Sequence, residues 1–313
     1  MNPIVIGTRG SLLARWQASF VARSLRTAHA DLVVEEKIIV TEGDRLSSGP
    51  LWNAGGKGLW VKEIEAALLA REIDIAVHSM KDVPGELAAG LALVAIPPRA
   101  DVRDAVVSRS GAGLDDLPKS ARIGTTSLRR ACQLKAVRPD FEIEILRGNL
   151  DTRLRKVADG VVDAAILACA GLDRLELAGR ITERLSIERM LPAVGQGALA
   201  IEARSDDERV RGLAQALNDA GTALAVSIER AFLTRLGATC RTPVAGYARL
   251  VDGQVTMLGL VGRPDGSELI ADKISGKISV MTSGKSGEAL ELGVKLADAL
   301  LARGAGAILA ECR

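Results

Sequence analysis

Ile73-Asp74-Ile75-Ala76-Val77-His78-Ser79-Met80-Lys81-Asp82-Val83-Pro84 is the stretch whose reading decides the fold. The apolar run from Ile73 to Val77 has the length and texture of a buried strand. It gives way to a polar turn, and Pro84 keeps any helix from running through. Functional side chains of α/β proteins gather where strands end. The other conspicuous loops of the chain carry cations, namely Arg9, Lys57, Arg129, Arg130, Arg147 and Arg153. Asp82 then reads as a lone acid among bases, suited to a polyanionic ligand on which positive charge develops. An exposed Lys81–Asp82 turn pair of little energetic worth explains this one segment equally well.

Outward from this strand, apolar runs and helical spacings alternate. Residues 3–7 read as a strand, and 11–28 as a helix with Leu12, Trp16, Phe20 and Leu25 on one side. Residues 32–41 read as a strand, 61–69 as a helix and 73–78 as the strand above. Alternation of this kind predicts a mixed sheet covered by helices. Pro97-Pro98 breaks it, and a second unit follows. There a strand ends at Ile123-Gly124 before a helix over 128–137, a strand over 142–146 precedes a helix over 151–158, and a further strand spans 164–168. The Gly/Pro run Leu191-Pro192-Ala193-Val194-Gly195-Gln196-Gly197 is a second break. Two breaks predict a chain that enters a second lobe and returns, leaving a hinged cleft between two α/β lobes. Beyond Thr222 the texture becomes a helix over 223–236, strands over 244–251, 255–261 and 268–275 with Asp252-Gly253 and Pro264-Asp265-Gly266 as turns, and an amphipathic helix over 287–301. The expected domains are 1–97 with 198–218, then 98–197, then a small α+β domain over 219–313.

Composition excludes several functions. Net charge is +2 over 313 residues, so no global field favours nucleic acid or membrane. Nine Arg or Lys against four Asp or Glu between Ala121 and Lys156 make a local anion site instead. Seven aromatic residues cannot build a base-stacking platform. No window approaches a membrane span, and the N-terminal apolar run is short and lacks a charged leader, so a cytoplasmic protein is expected. Nothing marks an assembly interface, so a monomer is expected. The four cysteines fit no metal or redox spacing, and His29 and His78 alone supply too little imidazole for a histidine metal site or a Ser-His-Asp triad.

Three strand-to-helix turns repeat one design: Thr8-Arg9-Gly10-Ser11, Thr125-Thr126-Ser127-Leu128-Arg129-Arg130, and Arg147-Gly148-Asn149 with Arg153. Hydroxyls and free N–H groups at a helix start, with arginine forks beside them, suit carboxylates. Arg129 and Arg130 leave a helix in different directions, so one of the two is expected to face a ligand. Gly55-Gly56-Lys57-Gly58 lacks the Ser or Thr that a Walker A motif needs after its Lys, which excludes nucleotide hydrolysis. It reads either as a loop presenting Lys57 or as a plain flexible connection. Cys240 sits in a loop flanked by Arg241, with Arg235 nearby, where a thiol pKa falls. Cys132, Cys169 and Cys312 read as packed thiols.

These motifs, with Ala193-Val194-Gly195-Gln196-Gly197, occur in an order that resembles the porphobilinogen deaminase family from end to end. The resemblance implies two α/β lobes with a cleft like that of periplasmic binding proteins, plus a C-terminal α+β domain. It implies condensation of four porphobilinogen units into the linear tetrapyrrole hydroxymethylbilane, primed by a dipyrromethane cofactor held as a thioether on Cys240. Asp82 would be catalytic. Ser79, Lys81, Asp82, Thr125, Ser127, Arg129, Arg130 and Arg147 would hold the cofactor. Arg9, Ser11, Lys57, Arg153, Arg174 and Gln196 would hold the substrate, and no metal is implied. Asn53, Trp60 and Ala238-Thr239 depart from the family's commoner Lys, Phe and Gly-Gly. If either position of the last pair required positive φ, the loop would need another turn. A two-lobed binding protein for small polycarboxylates accounts for the arginines equally well, though not for Cys240 or the Lys81–Asp82 pair. A nucleic-acid-binding protein is a distant third.

Overall fold

The structure is a computed structural model that describes residues 3–45, 61–239, 242–277 and 286–312. Strand β1 (Ile4–Thr8) is followed by helix α1 (Leu12–Ala28), then β2 (Val34–Ile38), which pairs parallel with β1. Parallel neighbours need a crossover, and α1 supplies it, turning Ala18, Val21, Ala22 and Leu25 onto the sheet. The short α2 (Glu42–Arg45) and α3 (Lys62–Leu69) lead to β3 (Ile75–Ser79), also parallel to β1. The chain then tightens into a 3-10 turn, Met80–Asp82, before β4 (Leu91–Ala95).

The second lobe begins with β5 (Asp104–Ser108) and β6 (Arg122–Gly124). Helix α4 (Leu128–Val137), β7 (Glu142–Glu144), α5 (Leu150–Ala158), β8 (Ala164–Ala168), α6 (Cys169–Arg174) and the short β9 (Glu183–Arg184) complete it. Its sheet runs β7-β6-β8-β5-β9, with β6 parallel to β7 and β8, and β5 antiparallel to β8 and β9. The chain returns as β10 (Leu199–Arg204), which enters the first sheet antiparallel between β3 and β4 and gives the order β2-β1-β3-β10-β4. All six residues of β10 are buried, Glu202 and Arg204 included. Helix α7 (Glu208–Gln215) covers β4 and β10.

Helix α8 (Ala220–Arg235) opens the C-terminal part. The antiparallel meander β11 (Val244–Val251), β12 (Gln254–Gly262) and β13 (Leu269–Lys277) follows, then α9 (Ser286–Ala302) and α10 (Ala305–Glu311). Phe232, Ile228, Val255, Met257, Leu296 and Leu300 fill its core.

Contacts divide the chain into Met1–Arg99 with Ala198–Ala223, and Ala100–Gly197 with Leu224–Arg313. The C-terminal sheet therefore groups with the second lobe. Cys132 and Leu191 pack with Ala245 and Leu260, and the Gly246 N–H donates to the Pro192 carbonyl at 3.0 Å. The buried Glu229 of α8 accepts from Gly195 N at 2.7 Å and from Ala248 N at 2.8 Å. At the two chain crossings of the second unit, Ala100 N donates to the Gly197 carbonyl. Gly197 has φ +87°, and a Cβ there would lie 2.6 Å from the Ala100 oxygen, so only glycine fits.

Candidate functional site

In the first unit, the ends of β1 and β3 set Arg9, Ser11, Ser79, Lys81 and Asp82. Ser11 caps α1, its Oγ accepting from Ala14 N at 3.3 Å, and Arg9 lies half-buried just before it. The buried Gln17 donates to Ser79 Oγ at 2.9 Å, which ties α1 to the last residue of β3. The Met80 N–H donates to the Ala198 carbonyl and the Val83 N–H to Met80, so the turn is anchored at both ends. Met80 points inward, Lys81 is half-buried and Asp82 is exposed. The Asp82 carboxylate therefore faces solvent from a turn anchored by backbone bonds. Gly55 to Gly58, with Lys57, Asn53 and Trp60, lie outside the described residues.

In the second unit, Thr125 follows β6, and its Oγ1 accepts from Ser127 N at 3.1 Å. Ser127 is the N-cap of α4 without a side-chain capping bond. Arg129 and Arg130 do not diverge as expected: both are buried and both converge on Asp104. Arg129 Nη1 reaches Asp104 Oδ2 at 2.8 Å and the Leu191 carbonyl at 2.7 Å. Arg130 Nη2 reaches Asp104 Oδ1 at 2.7 Å and Nη1 the Ile166 carbonyl at 2.9 Å. Gln196 is fully buried, and its amide donates to Asp104 Oδ1 and the Val102 carbonyl. The length of the arginine side chain lets adjacent helical positions reach one acid, and the C-terminal sheet covering α4 closes the site from outside. Burial raises the Asp104 carboxyl, but the two guanidinium groups outweigh it and hold the acid far below the usual carboxylate range. The cluster keeps one positive charge in excess.

Arg147, Arg153 and Arg174 differ from that pair. Gly148 takes φ +111° and lets Asn149 cap α5, while Arg153 Nε donates to the Gly148 carbonyl at 2.8 Å. Arg147 Nε is buried and has no hydrogen-bond partner among the described residues. Arg174 Nη2 donates to the Gly197 carbonyl at 2.7 Å, and burial pulls its guanidinium pKa down to about 10. A desolvated cation gains most from an incoming carboxylate.

Cys240 and Arg241 lie outside the described residues. Their flanks are tied together, Thr239 N donating to Thr242 Oγ1 at 3.0 Å and Thr242 Oγ1 to the Thr239 carbonyl at 2.7 Å. Positive φ falls on Gly237, at 60°, and on neither Ala238 nor Thr239, so the departure from Gly-Gly costs no backbone strain. Cys132 and Cys169 are buried thiols pushed up to about 12 and about 11, chiefly by desolvation, and Cys312 is raised for the same reason. No group of three or more His, Cys, Asp or Glu among the described residues could hold a metal ion.

Sequence reasoning passed over Asp104, Gln17 and Glu229. Asp104 opens an apolar run, Asp104-Ala105-Val106-Val107, and an acid at the head of a buried strand is the signal that could have found it.

Two α/β lobes with cationic strand ends, an exposed acid on a turn and a small C-terminal sheet make up the described chain. The chain belongs to the porphobilinogen deaminase family. The family model for its dipyrromethane cofactor binding domain matches residues 4–212, and that for its C-terminal domain matches residues 223–302. Porphobilinogen deaminase of Syntrophotalea carbinolica is 50% identical over 305 residues, 97% of this chain and 94% of that protein. The enzyme of Brevibacillus brevis is 48% identical over 307 residues, 98% and 96% respectively. Among solved structures, a Salmonella typhimurium periplasmic binding protein of high arginine specificity is similar at a TM-score of 0.42 and 14% identity, over 71% of this chain and 94% of that one. The family assignment rests on the sequence matches alone.

Proposed function

We propose that Cys240 carries the dipyrromethane primer through a thioether and that Asp82 is the catalytic acid–base group. The activity that goes with the family is that of a hydroxymethylbilane synthase, a transferase that joins four porphobilinogen molecules head to tail with loss of ammonia. When bound, the dipyrromethane supplies the pyrrole α-carbon to which the first unit is joined.

The residues present fit such a group. Each pyrrole carries an acetate and a propionate, and the buried, unpartnered Arg147 Nε and the desolvated Arg174 are cations that a carboxylate would satisfy. Arg9, Ser11, Arg153 and Lys57 serve the substrate in the same reading. Ser79, Lys81, Thr125 and Ser127 assist around the primer, Arg129 and Arg130 contribute the excess positive charge of the Asp104 cluster, and Gln196, bonded to that cluster, serves the substrate. The Asp82 carboxylate accepts the substrate's pyrrole N–H. That bond strengthens as the C–N bond to ammonia breaks and positive charge spreads to the ring nitrogen. Asp82 is the acid of this turn, so proton transfers there run through its Oδ atoms. Monomeric, cytoplasmic operation without nucleic acid belongs to the same reading, supported by the net charge of +2. No helix among the described residues is long and apolar enough to cross a membrane.

The observation that carries the assignment of Cys240 is the state of the other thiols, all three raised by burial and kept protonated. The test is the intact mass of the denatured chain beside Cys240→Ser. An excess of two pyrrole units, lost in the variant, is expected. A bare mass unchanged by porphobilinogen would overturn the reading.

A further inference from the structure

Between α3 and the first sheet lie two carboxyl groups with more acceptor atoms than donors. Glu202, on β10, is fully buried, and its Oε2 takes a hydrogen bond from His78 Nε2 at 2.9 Å. Register pairs Ala200 with His78 and Glu202 with Ala76, so His78 and Glu202 are diagonal neighbours on one face of the sheet. Glu202 Oε1 is buried and has no hydrogen-bond partner among the described residues. The same holds for Glu65 Oε1 on α3, the helix covering that face. Two anions here, Glu202 buried and Glu65 half-buried with its Oε1 inside, would bear a desolvation penalty, and a single proton neutralises one and gives the other's oxygen a donor.

Among the described residues, no donor makes a hydrogen bond to these two oxygens. On α3, Glu63 Oε1 accepts from Glu42 N at 2.7 Å, and its buried Oε2 is also without a partner among the described residues. Two residues along β10, Arg204 gives its Nη atoms to the Leu68 and Ile73 carbonyls and to Asp74 and Asp207, and its buried Nε has no partner among the described residues. Strands β1 and β4 bring no titratable group, and the connection between β3 and β4 brings the half-buried Lys81, the exposed Asp82 and Glu86, and the Ala88 N–H, which bonds Glu65. Burial and then the Glu202 charge raise the Glu65 carboxyl above its ordinary value, with Ala88 and His78 pulling the other way.

We propose that Glu65 keeps its proton at neutral pH and donates it to Glu202 Oε1, so that His78, Glu202 and Glu65 form one hydrogen-bonded chain across β3, β10 and α3 that positions the Met80–Asp82 turn. His78 lies two residues before that turn, and β10 begins at Leu199, next to the Ala198 carbonyl that receives Met80 N. The chain thus fixes the strand from which Asp82 projects and the strand beside it. These three residues are positioning residues, and their role rests on the reading of Asp82 given above.

The test compares the holoenzyme with Glu65→Gln and Glu202→Gln. Difference infrared spectra at neutral pH should show the carbonyl stretch of a protonated carboxylic acid that shifts in deuterium oxide and is missing from Glu65→Gln. Glutamine keeps the donor but does not titrate, so Glu65→Gln should retain most of its kcat and lose the fall in activity that ionisation of Glu65 causes as pH rises. Glu202→Gln should lower kcat roughly tenfold or more with KM little changed, because the carboxylate-holding arginines are untouched. Identical spectra in wild type and Glu65→Gln overturn the shared proton. A band that disappears while both variants keep the wild-type kcat and pH profile overturns the positioning role. The infrared readout does not depend on turnover, so an active Asp82→Asn enzyme would remove the role assigned to the turn while leaving the proton intact.

Discussion

Asp104 Oδ2 accepts a hydrogen bond from Arg129 Nη1 at 2.8 Å, with the acid fully buried and the arginine 4% exposed. Arg130 meets the other oxygen, so one carboxylate holds two cations inside the second lobe. Asp104→Asn would leave both guanidinium groups buried without their counter-charge. A loss of about 3–5 kcal/mol in urea unfolding is expected.

The same pair sets an acid limb. The folded carboxyl of Asp104 is depressed relative to the unfolded one, so its contribution is present above the ordinary Asp pKa and lost as pH falls below it. Wild-type stability should decline more steeply through that acid range than that of Asp104→Asn. Parallel curves from urea titrations at a series of pH values would contradict the linkage.

Asp82 stands exposed on a turn that the Met80 N–H to Ala198 and Val83 N–H to Met80 backbone bonds hold. Asp82→Asn should therefore change stability by no more than ~0.5 kcal/mol. It should lower kcat by roughly a hundredfold or more, the order expected when an acid–base group is removed. Near-wild-type turnover of porphobilinogen would remove Asp82 from the mechanism.

Thiol chemistry gives an independent count. Cys132 and Cys169, pushed up to about 12 and about 11, should resist iodoacetamide at mildly alkaline pH while the protein is folded. After denaturation the loaded enzyme should take up label on Cys132, Cys169 and Cys312 but not on Cys240. Labelling of all four would mean that no thioether is present.

Gly197→Ala places a Cβ 2.6 Å from the Ala100 oxygen at φ +87°. A loss of about 1–3 kcal/mol is expected from the backbone strain. Differential scanning calorimetry would read it as a lower Tm, and an unchanged Tm would show that the crossing can relax.

Much of the architecture was legible because period and punctuation agreed. The meander over 244–275 and its two turns were readable from alternating apolar residues and Asp-Gly pairs, and β11 falls on 244–251 as expected. Strand β10 was not seen, because Glu202 and Arg204 make it look like a surface segment. Only the pairing of Glu202 with His78, and of Arg204 with Asp74 and Asp207, lets it lie buried. Those partners are 124, 130 and 3 residues away, and the two distant ones leave no local trace. The arginine pair failed in the same way. Helical geometry at 129 and 130 says that neighbours diverge, and nothing near them announces an acid 25 residues upstream on another element. Motifs revealed which residue types carry charge, whereas which of those charges were already answered inside the protein depended on long-range packing.

Glu229 has one oxygen on Gly195 and the other on Ala248, so the helix that leads into Cys240, the strand that leads away from it and the second chain crossing are stitched to a single carboxylate. With the primer on Cys240 as proposed, the root of a growing polymer would be moored like a rope to a cleat. Lengthening by one ring could then not be taken up by paying out the moored end, and each new unit would have to be accommodated at the free tip.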